Sequence, residues 1–474
     1  MIILNNNVQT PKYIQIYEQL RDEIIRGELP EGSKLVSIRY FADSLAVGRN
    51  TVEKAYLQLS SEGYVESRVG SGFYVQDIHN IFSLGNDRKS VEFPTEHKGR
   101  KIQENMICNF QYGYLNPQDF PQNIWRKVSM KALASLNTED MTMYSDPKGE
   151  LQLRIKLAEY LRKSRGVSCS AEQIILCSGL ESALSLLSQL FRNTYSQIAF
   201  EEPGYFGARE IFEHNGFNTV SVSVEIDGVN VKELENSSAQ VIYVTPSHQF
   251  PTGAVMPIQK RLLLLEWAAK NDGIIIEDDY DSELRYNTRP IPSISNVSGN
   301  ENVIYIGTMS KSLSPSLRVS YMVLPQKWLK RYDEKFKLYQ SPVSIIQQRI
   351  LYEFIYSGHF ESHLRKLCVI NKRKHDLLIR LIHELMSDEV VIHGKYAGFH
   401  ILLESTQGLT EKEMIERAKE YGVLVYPVSI FWHDVPCYSN NMVLLSFGNV
   451  TEKQLTKGIE QLSKAWSNPN TLTT

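Results

Sequence analysis

A lysine follows the apolar run VIYIG (303–307) closely, in Thr308-Met309-Ser310-Lys311, and Arg318 comes soon after. Lysine is a side chain that forms a Schiff base with a carbonyl cofactor. Thr308, Ser310 and Arg318 supply hydroxyls and a guanidinium of the kind that binds phosphate. A second cluster, Glu277-Asp278-Asp279-Tyr280-Asp281, closes the run IIIEDDY (274–280). Residues i and i+2 of a strand share a face, so Asp278 and Tyr280 reach one ligand together. Crowded acids at the end of a buried strand are costly unless they meet a cation, so a metal site or plain solvent-exposed acids is the alternative reading. Ser178-Gly179-Leu180-Glu181 opens a helix, whose first backbone amides suit a phosphate. Tyr205, in Glu-Pro-Gly-Tyr, is an aromatic on a loop above the sheet that could stack on a planar ligand, although in a chain with 25 tyrosines a surface or core tyrosine is the simpler reading. His248, in TPSHQFPTG, reads as structural. No GxxxxGK[ST] occurs, which excludes a P-loop. A Schiff-base lysine, an acid for a pyridinium nitrogen and a phosphate cradle are what pyridoxal phosphate requires.

The elements that must position these residues are short apolar runs alternating with amphipathic helices: 174–178, 198–202, 241–245, 274–280 and 303–307. Continuous apolarity implies burial on both faces, as in a parallel sheet. The pattern is α/β and doubly wound, and in such sheets ligands sit beyond the carboxyl ends of the strands. The candidate residues lie just after these runs.

Residues 12–76 have a different texture. Tyr13, Ile16, Tyr17, Leu20, Ile24 and Ile25 recur at helical spacing, a short helix follows at 37–45, and a third runs from about Arg49 to Glu62. YVESRVGSGFYV then reads as two strands around Gly70-Ser71-Gly72. This is the order of a winged helix-turn-helix, whose recognition helix meets base edges with its N-terminal residues. Arg39, Arg49, Lys54 and Arg68 can lie on one side, with Asn50 and Thr51 beside them. A protein-interaction module is the alternative, since residues 1–76 hold eight Lys/Arg against nine Asp/Glu. Residues 77–107 are polar, mixed in charge and weakly periodic, and read as a linker between a head (1–76) and a large domain (108–474).

The whole chain has 474 residues, 42% hydrophobic and 22% charged, with a net charge of −3. DNA contact must therefore come from a local patch rather than a global field. Five scattered cysteines without a CxxC pair argue against a zinc site or a disulfide framework and favour a reducing, cytoplasmic setting. No metal site is expected. No apolar run is long enough to span a bilayer, so no membrane partner is expected.

The segment YEQLRDEIIRGELPEGSKL…SIRYFADSL…GRNTVEKAYLQLSSEGYVESRVGSGFYV resembles the DNA-binding domain of the GntR superfamily. The resemblance implies that Arg39, Arg49, Asn50, Thr51 and the Gly70–Gly72 wing face DNA. Val36 stands where the family has Pro, and Gly48 where it has Ser. Residues 108–450 resemble a fold-type I aminotransferase through YSDPKGELQLRIKLAEYLRKSRGV, CSGLESALSLL, EEPGYFGAR, TPSHQFPTG, IIEDDYDSELRY and GTMSKSLSPSLRVSYMVLP. A GntR-type head on such a body resembles the MocR-type regulators. The likeness implies that Lys311 carries the Schiff base, Asp278 pairs with the pyridine nitrogen and Tyr280 bonds the phenolate oxygen. It implies that Tyr205 stacks on the ring and that Gly179, Leu180, Thr308, Ser310 and Arg318 bind the phosphate. Tyr144 would reach the site of a second subunit, in a head-to-tail, domain-swapped homodimer. The acid's register is open by one, with Glu277 and Asp279 adjacent, and Asp278 is chosen for the face it shares with Tyr280.

One departure matters. Aminotransferases carry an arginine before the final strand to grip an α-carboxylate, and no arginine occurs between 418 and 474. The GABA-sensing members place one near Ser429, which is also missing. Arg209 is the substitute candidate. The expectation is a transcription regulator with at most vestigial half-transamination, binding a double-stranded operator and sensing an amine, an amino acid or, as in PdxR-like members, pyridoxal phosphate itself. The alternative is an aminotransferase with an N-terminal docking module.

Overall fold

The computed structural model describes residues 2–5, 10–77, 106–286, 291–298, 301–434 and 438–467. The chain forms two compact units, Met1–Lys101 and Ile102–Thr474. Almost all of the expected linker over 77–107 lies outside the described residues.

In the first unit, α1 (Lys12–Ile25), α2 (Ile38–Ser44) and α3 (Arg49–Ser61) precede a hairpin of β1 (Val65–Arg68) and β2 (Gly72–Val75). Ile16, Leu20 and Ile24 of α1 meet Ala42 of α2 and Val52, Ala55, Tyr56 and Leu59 of α3 in one core. Ser37 caps α2 by accepting the Tyr40 amide at 3.3 Å. Gly48 begins α3 and offers no side-chain cap, a direct result of the missing serine. The hairpin turns through Gly70 at φ +75°, where glycine meets no steric penalty.

In the second unit, eight strands form one sheet: β3 (Ile174–Cys177), β4 (Gln197–Glu202), β5 (Asn218–Glu225), β6 (Gly228–Val229), β7 (Val241–Val244), β8 (Ile274–Asp279), β9 (Val303–Thr308) and β10 (Ser320–Val323). Their spatial order is β3-β10-β9-β8-β7-β4-β5-β6. β9, β8, β7, β4 and β5 are parallel neighbours. β10 runs antiparallel to both β9 and β3, so β3 points the same way as β9 and all five expected runs share one direction, with β10 inserted against them. Its four buried residues, SYMV, carry no information on strand direction. Side chains alternate between two layers: Ile274, Ile276, Ile304 and Ile306 pack with Leu184, Leu187 and Phe191 of α4 (Leu180–Phe191), while Ile275 and Val303 pack with Leu264 and Trp267. Burying each of these large side chains contributes about 1.5–3 kcal/mol, and burial on both faces explains the unbroken apolar runs.

A smaller antiparallel sheet, β11 (Val390–His393), β12 (His400–Ser405), β13 (Tyr426–Pro427) and β14 (Met442–Ser446), has the order β11-β12-β14-β13. It shares a core with α5 (His359–Leu385) and α6 (Glu452–Trp466) through Leu378, Ile382, Leu455 and Ile459. Cys108–Asn109 pairs in parallel with Val423–Leu424 beside that core. Among the described residues no helix is long and apolar enough to cross a membrane.

Candidate functional site

A cavity of about 310 Å³ opens at the carboxyl ends of the parallel strands. Asp278 and Tyr280 enter it from the end of β8, Thr308, Ser310, Lys311 and Arg318 from the segment after β9, and Tyr205 from the loop after β4. Leu180 and Glu181, the first residues of α4, complete one end. Gly179 lies just behind, at φ +86°, and a Cβ there would collide with the Arg318 guanidinium. Only glycine lets Arg318 lie across the start of α4.

The four carboxylates around the end of β8 point four ways. Glu277 accepts the amides of Ile294 at 2.9 Å and Ser295 at 3.1 Å. Asp279 pairs with Arg165 Nε at 2.6 Å, and Asp281 meets His248 Nδ1 at 2.9 Å. Asp278 alone of the four lines the cavity, where it accepts the Tyr243 hydroxyl. No Lys, Arg or His among the described residues pairs with it. Burial pushes its carboxyl up to about 7, against the lowering effect of the Tyr243 bond. The four carboxylates diverge, and among the described residues no group of three or more His, Cys, Asp or Glu is placed to hold a metal ion.

Among the described residues no carboxylate lies within ion-pair distance of Lys311. Its ammonium rests 3.8 Å from the centroid of the Tyr112 ring, a cation–π contact. Burial lowers its pKa to about 8, with Asp281 opposing the shift, which brings the neutral, nucleophilic amine much closer to reach than in an exposed lysine. The Tyr280 hydroxyl donates to the His248 carbonyl at 2.8 Å and lies 3.1 Å from His248 Nδ1. Glu201 fixes the adjacent loop by accepting Thr245 N at 3.0 Å and Thr245 Oγ1 at 2.7 Å. Thr308 Oγ1 donates to Ser310 Oγ at 3.0 Å and accepts the Ser310 amide at 3.1 Å, which holds the hydroxyls together.

A depressed lysine, a buried carboxylate lacking a cation, paired hydroxyls, an arginine and a helix start form a donor set that fits pyridoxal phosphate. Sequence reasoning missed Tyr112, Thr245 and Phe250, which also line the cavity. Phe250 stacks tilted on Tyr112 at 4.9 Å and meets Phe431 edge-on at 4.8 Å, forming an aromatic wall. TPSHQFPTG contains Phe250, but nothing local marks it as a wall.

Two expected residues are not brought to this cavity. Arg209 is buried, donates to Glu202 Oε2 at 3.1 Å and Ser221 Oγ at 3.0 Å, and does not line it. Glu202 also accepts the amides of His433 and Asp434, so Arg209 belongs to a structural knot and its assignment to the effector is corrected. Tyr144 is 87% exposed and lies outside the cavity of its own chain.

In the first unit Arg39, Arg49, Asn50 and Lys54 are exposed and Thr51 is half-buried. Arg39, Arg49 and Lys54 join no ion pair among the described residues. At the hairpin, the Arg68 guanidinium lies 4.6 Å from the Tyr74 ring centroid and donates to Glu66 at 3.3 Å. Ser71 Oγ and Tyr74 Oη are 2.6 Å apart, with Gly70 and Gly72 forming the turn between the strands. Lys34 Nζ, 5.8 Å from the same ring, joins this basic tip, which the sequence did not single out.

Residues 112–462 match the model of the aminotransferase class I and II family, and residues 12–75 match that of bacterial regulatory proteins of the gntR family. The chain is 38% identical to the uncharacterized HTH-type transcriptional regulator YdeL of Bacillus subtilis over 98% of each chain. It is 31% identical to the probable rhizopine catabolism regulatory protein MocR of Rhizobium meliloti, over 98% of this chain and 96% of that one. The structure resembles a Pyrococcus horikoshii kynurenine aminotransferase solved with PMP, at a TM-score of 0.68 and 27% identity, over 78% of this chain and 92% of that one. The aminotransferase class I and II fold implies pyridoxal phosphate as the cofactor.

Proposed function

The chain belongs to the class I and II aminotransferase family and carries a gntR-family head in the manner of the MocR-type regulators, and from that premise we propose that it regulates transcription. It binds operator DNA through the exposed residues of α2, α3 and the hairpin, and it reads a small ligand through the cavity of the large unit. The observation that carries this reading is one chain joining a head whose surface Arg39 and Arg49 join no ion pair among the described residues to a cavity that keeps Lys311 and Asp278 and, among the described residues, is lined by no arginine except Arg318. A carboxylate-gripping fork is thus missing where a transaminase needs one, which supports regulation with at most vestigial transamination.

When bound, pyridoxal phosphate supplies a carbonyl for Lys311 and an electron-poor ring that answers an incoming amine. With the cofactor in place, Lys311 would offer the amine, Asp278 would hold a proton toward the ring nitrogen, and Tyr280 would present its hydroxyl to the ring oxygen. Tyr205 covers the ring face. Thr308, Ser310, Arg318, Leu180 and the Gly179 backbone receive the phosphate. The effector is an amine, an amino acid or pyridoxal phosphate itself. Exposed Met141, Met143 and Tyr144 (52%, 65% and 87%) suit a surface covered by a second copy, so the working unit is a homodimer. The test uses full-length protein, wild type and Lys311→Ala. Wild type is expected to show the visible absorbance of a lysine-bound cofactor and a DNA affinity that changes with cofactor or amine. Lys311→Ala is expected to lose both responses and keep basal DNA binding. DNA affinity indifferent to every cofactor state would sink the sensing half of the proposal.

A further inference from the structure

The phosphate end of the cavity contains a carboxylate. Glu181 is the second residue of α4, and its Oε2 pairs with Arg318 Nη2. The pair is not sealed: the two side chains keep 52% and 49% of their exposure. Gly179 leaves room for the contact, since a Cβ there would strike Arg318 and lie 3.0 Å from Glu181 Oε2. The other groups at this end suit an anion: the hydroxyls of Thr308 and Ser310, the guanidinium, and the first amides of α4, which have no partner within the helix. Glu181 does the reverse. It has the same sign as a phosphate and takes up the arginine a phosphate needs.

We infer that Glu181 is a built-in competitor for the phosphate of pyridoxal phosphate, so that Arg318 exchanges one anion for another as the cofactor enters and the cofactor is held reversibly. The inference rests on the cofactor reading above. An acid in the first turn of a helix also favours the helix dipole, and that purely structural role makes no distinction between phosphorylated and unphosphorylated ligands. The competitor role does. Two like charges a few ångströms apart at a half-exposed site weaken binding by about tenfold.

Glu181→Gln keeps the length and one accepting oxygen and removes the charge. Full-length apo protein, wild type and variant, is titrated with pyridoxal phosphate and separately with pyridoxal, which has the ring and the carbonyl but no phosphate. Attachment to Lys311 is followed by absorbance, and inorganic phosphate is added as a competitor. The variant is expected to bind pyridoxal phosphate about tenfold more tightly. Pyridoxal affinity should stay unchanged, and inorganic phosphate should compete at lower concentration. Equal or weaker affinity for pyridoxal phosphate in the variant overturns the inference. So does an equal gain for pyridoxal, which would trace the effect to the fold. If neither ligand attaches to either protein, the cofactor reading itself falls and takes the inference with it.

Discussion

Asp278 and Asp279 follow one another on β8 and meet opposite surroundings. Asp279 faces Arg165 Nε at 2.6 Å and accepts the Tyr305 hydroxyl at 2.6 Å. Asp278 faces the cavity, where the Tyr243 hydroxyl is its only hydrogen-bond partner among the described residues. The same contrast separates Arg209, committed to Glu202, from Lys311, which rests on an aromatic face. A buried charge with its partner in place fixes the frame. A buried charge without one keeps its interaction capacity for whatever enters, and the cost of holding it there shows as a shifted pKa.

Breaking the partnered side should have the largest effect. Asp279→Ala strands Arg165 in the interior and is expected to destabilise the large unit by about 3–5 kcal/mol, read from chemical denaturation. A loss under about 1 kcal/mol would mean that water reaches Arg165 and that the contrast is false. On the unpartnered side, Asp278→Asn should change the stability of the apo protein by about 1 kcal/mol or less at about pH 4, where the carboxyl is protonated, while weakening pyridoxal phosphate binding at least about tenfold. Its pH dependence sharpens the point. The folded carboxyl, pushed up to about 7, keeps a proton that the unfolded chain releases near its ordinary value of about 4. The stability it contributes is therefore complete below about pH 4 and falls as the pH rises to about 7, by at most about 1.4 kcal/mol per pH unit. Glu201 and Glu283, also raised to about 7 by burial, act in the same direction. Asp278→Asn should flatten the slope without abolishing it, and an unchanged slope would place the carboxylate in water. The smallest change in stability belongs to the head: Arg49→Ala is expected to stay within about 0.5 kcal/mol of wild type. It should nevertheless weaken DNA binding and reduce the salt slope by about 1 if Arg49 meets a phosphate.

The legible parts of the molecule were those with a short-range signal. Asp278 and Tyr280 could be paired because a strand repeats every two residues, and the helices of the head because their apolar stripes recur at helical spacing. Lys311 stood out by following a buried run. Tyr112 gave no such signal: it comes from a segment about two hundred residues upstream, and only the tertiary fold lays its ring under the lysine. Arg209 was misassigned because a lone arginine near a ligand loop looks available until Glu202 and Ser221 are seen holding it. The antiparallel direction of β10 was hidden for a related reason, since a fully buried strand reads the same both ways. The smaller sheet was missed because its strands pair over long separations, as Leu403 does with Val443.

The position of Tyr112 along the chain has a further meaning. Going back toward the head, the backbone passes Phe110, fully buried, and the ladder in which Ile107 N donates to Gly422 O at 2.8 Å and Phe110 N to Leu424 O at 3.0 Å. Beyond that ladder begins the stretch that connects the units. The aromatic cushion beneath the lysine and the anchorage of the connecting segment are thus neighbours on one short piece of polypeptide, so a ligand that meets the lysine sits a few residues of backbone from the start of the connection to the head.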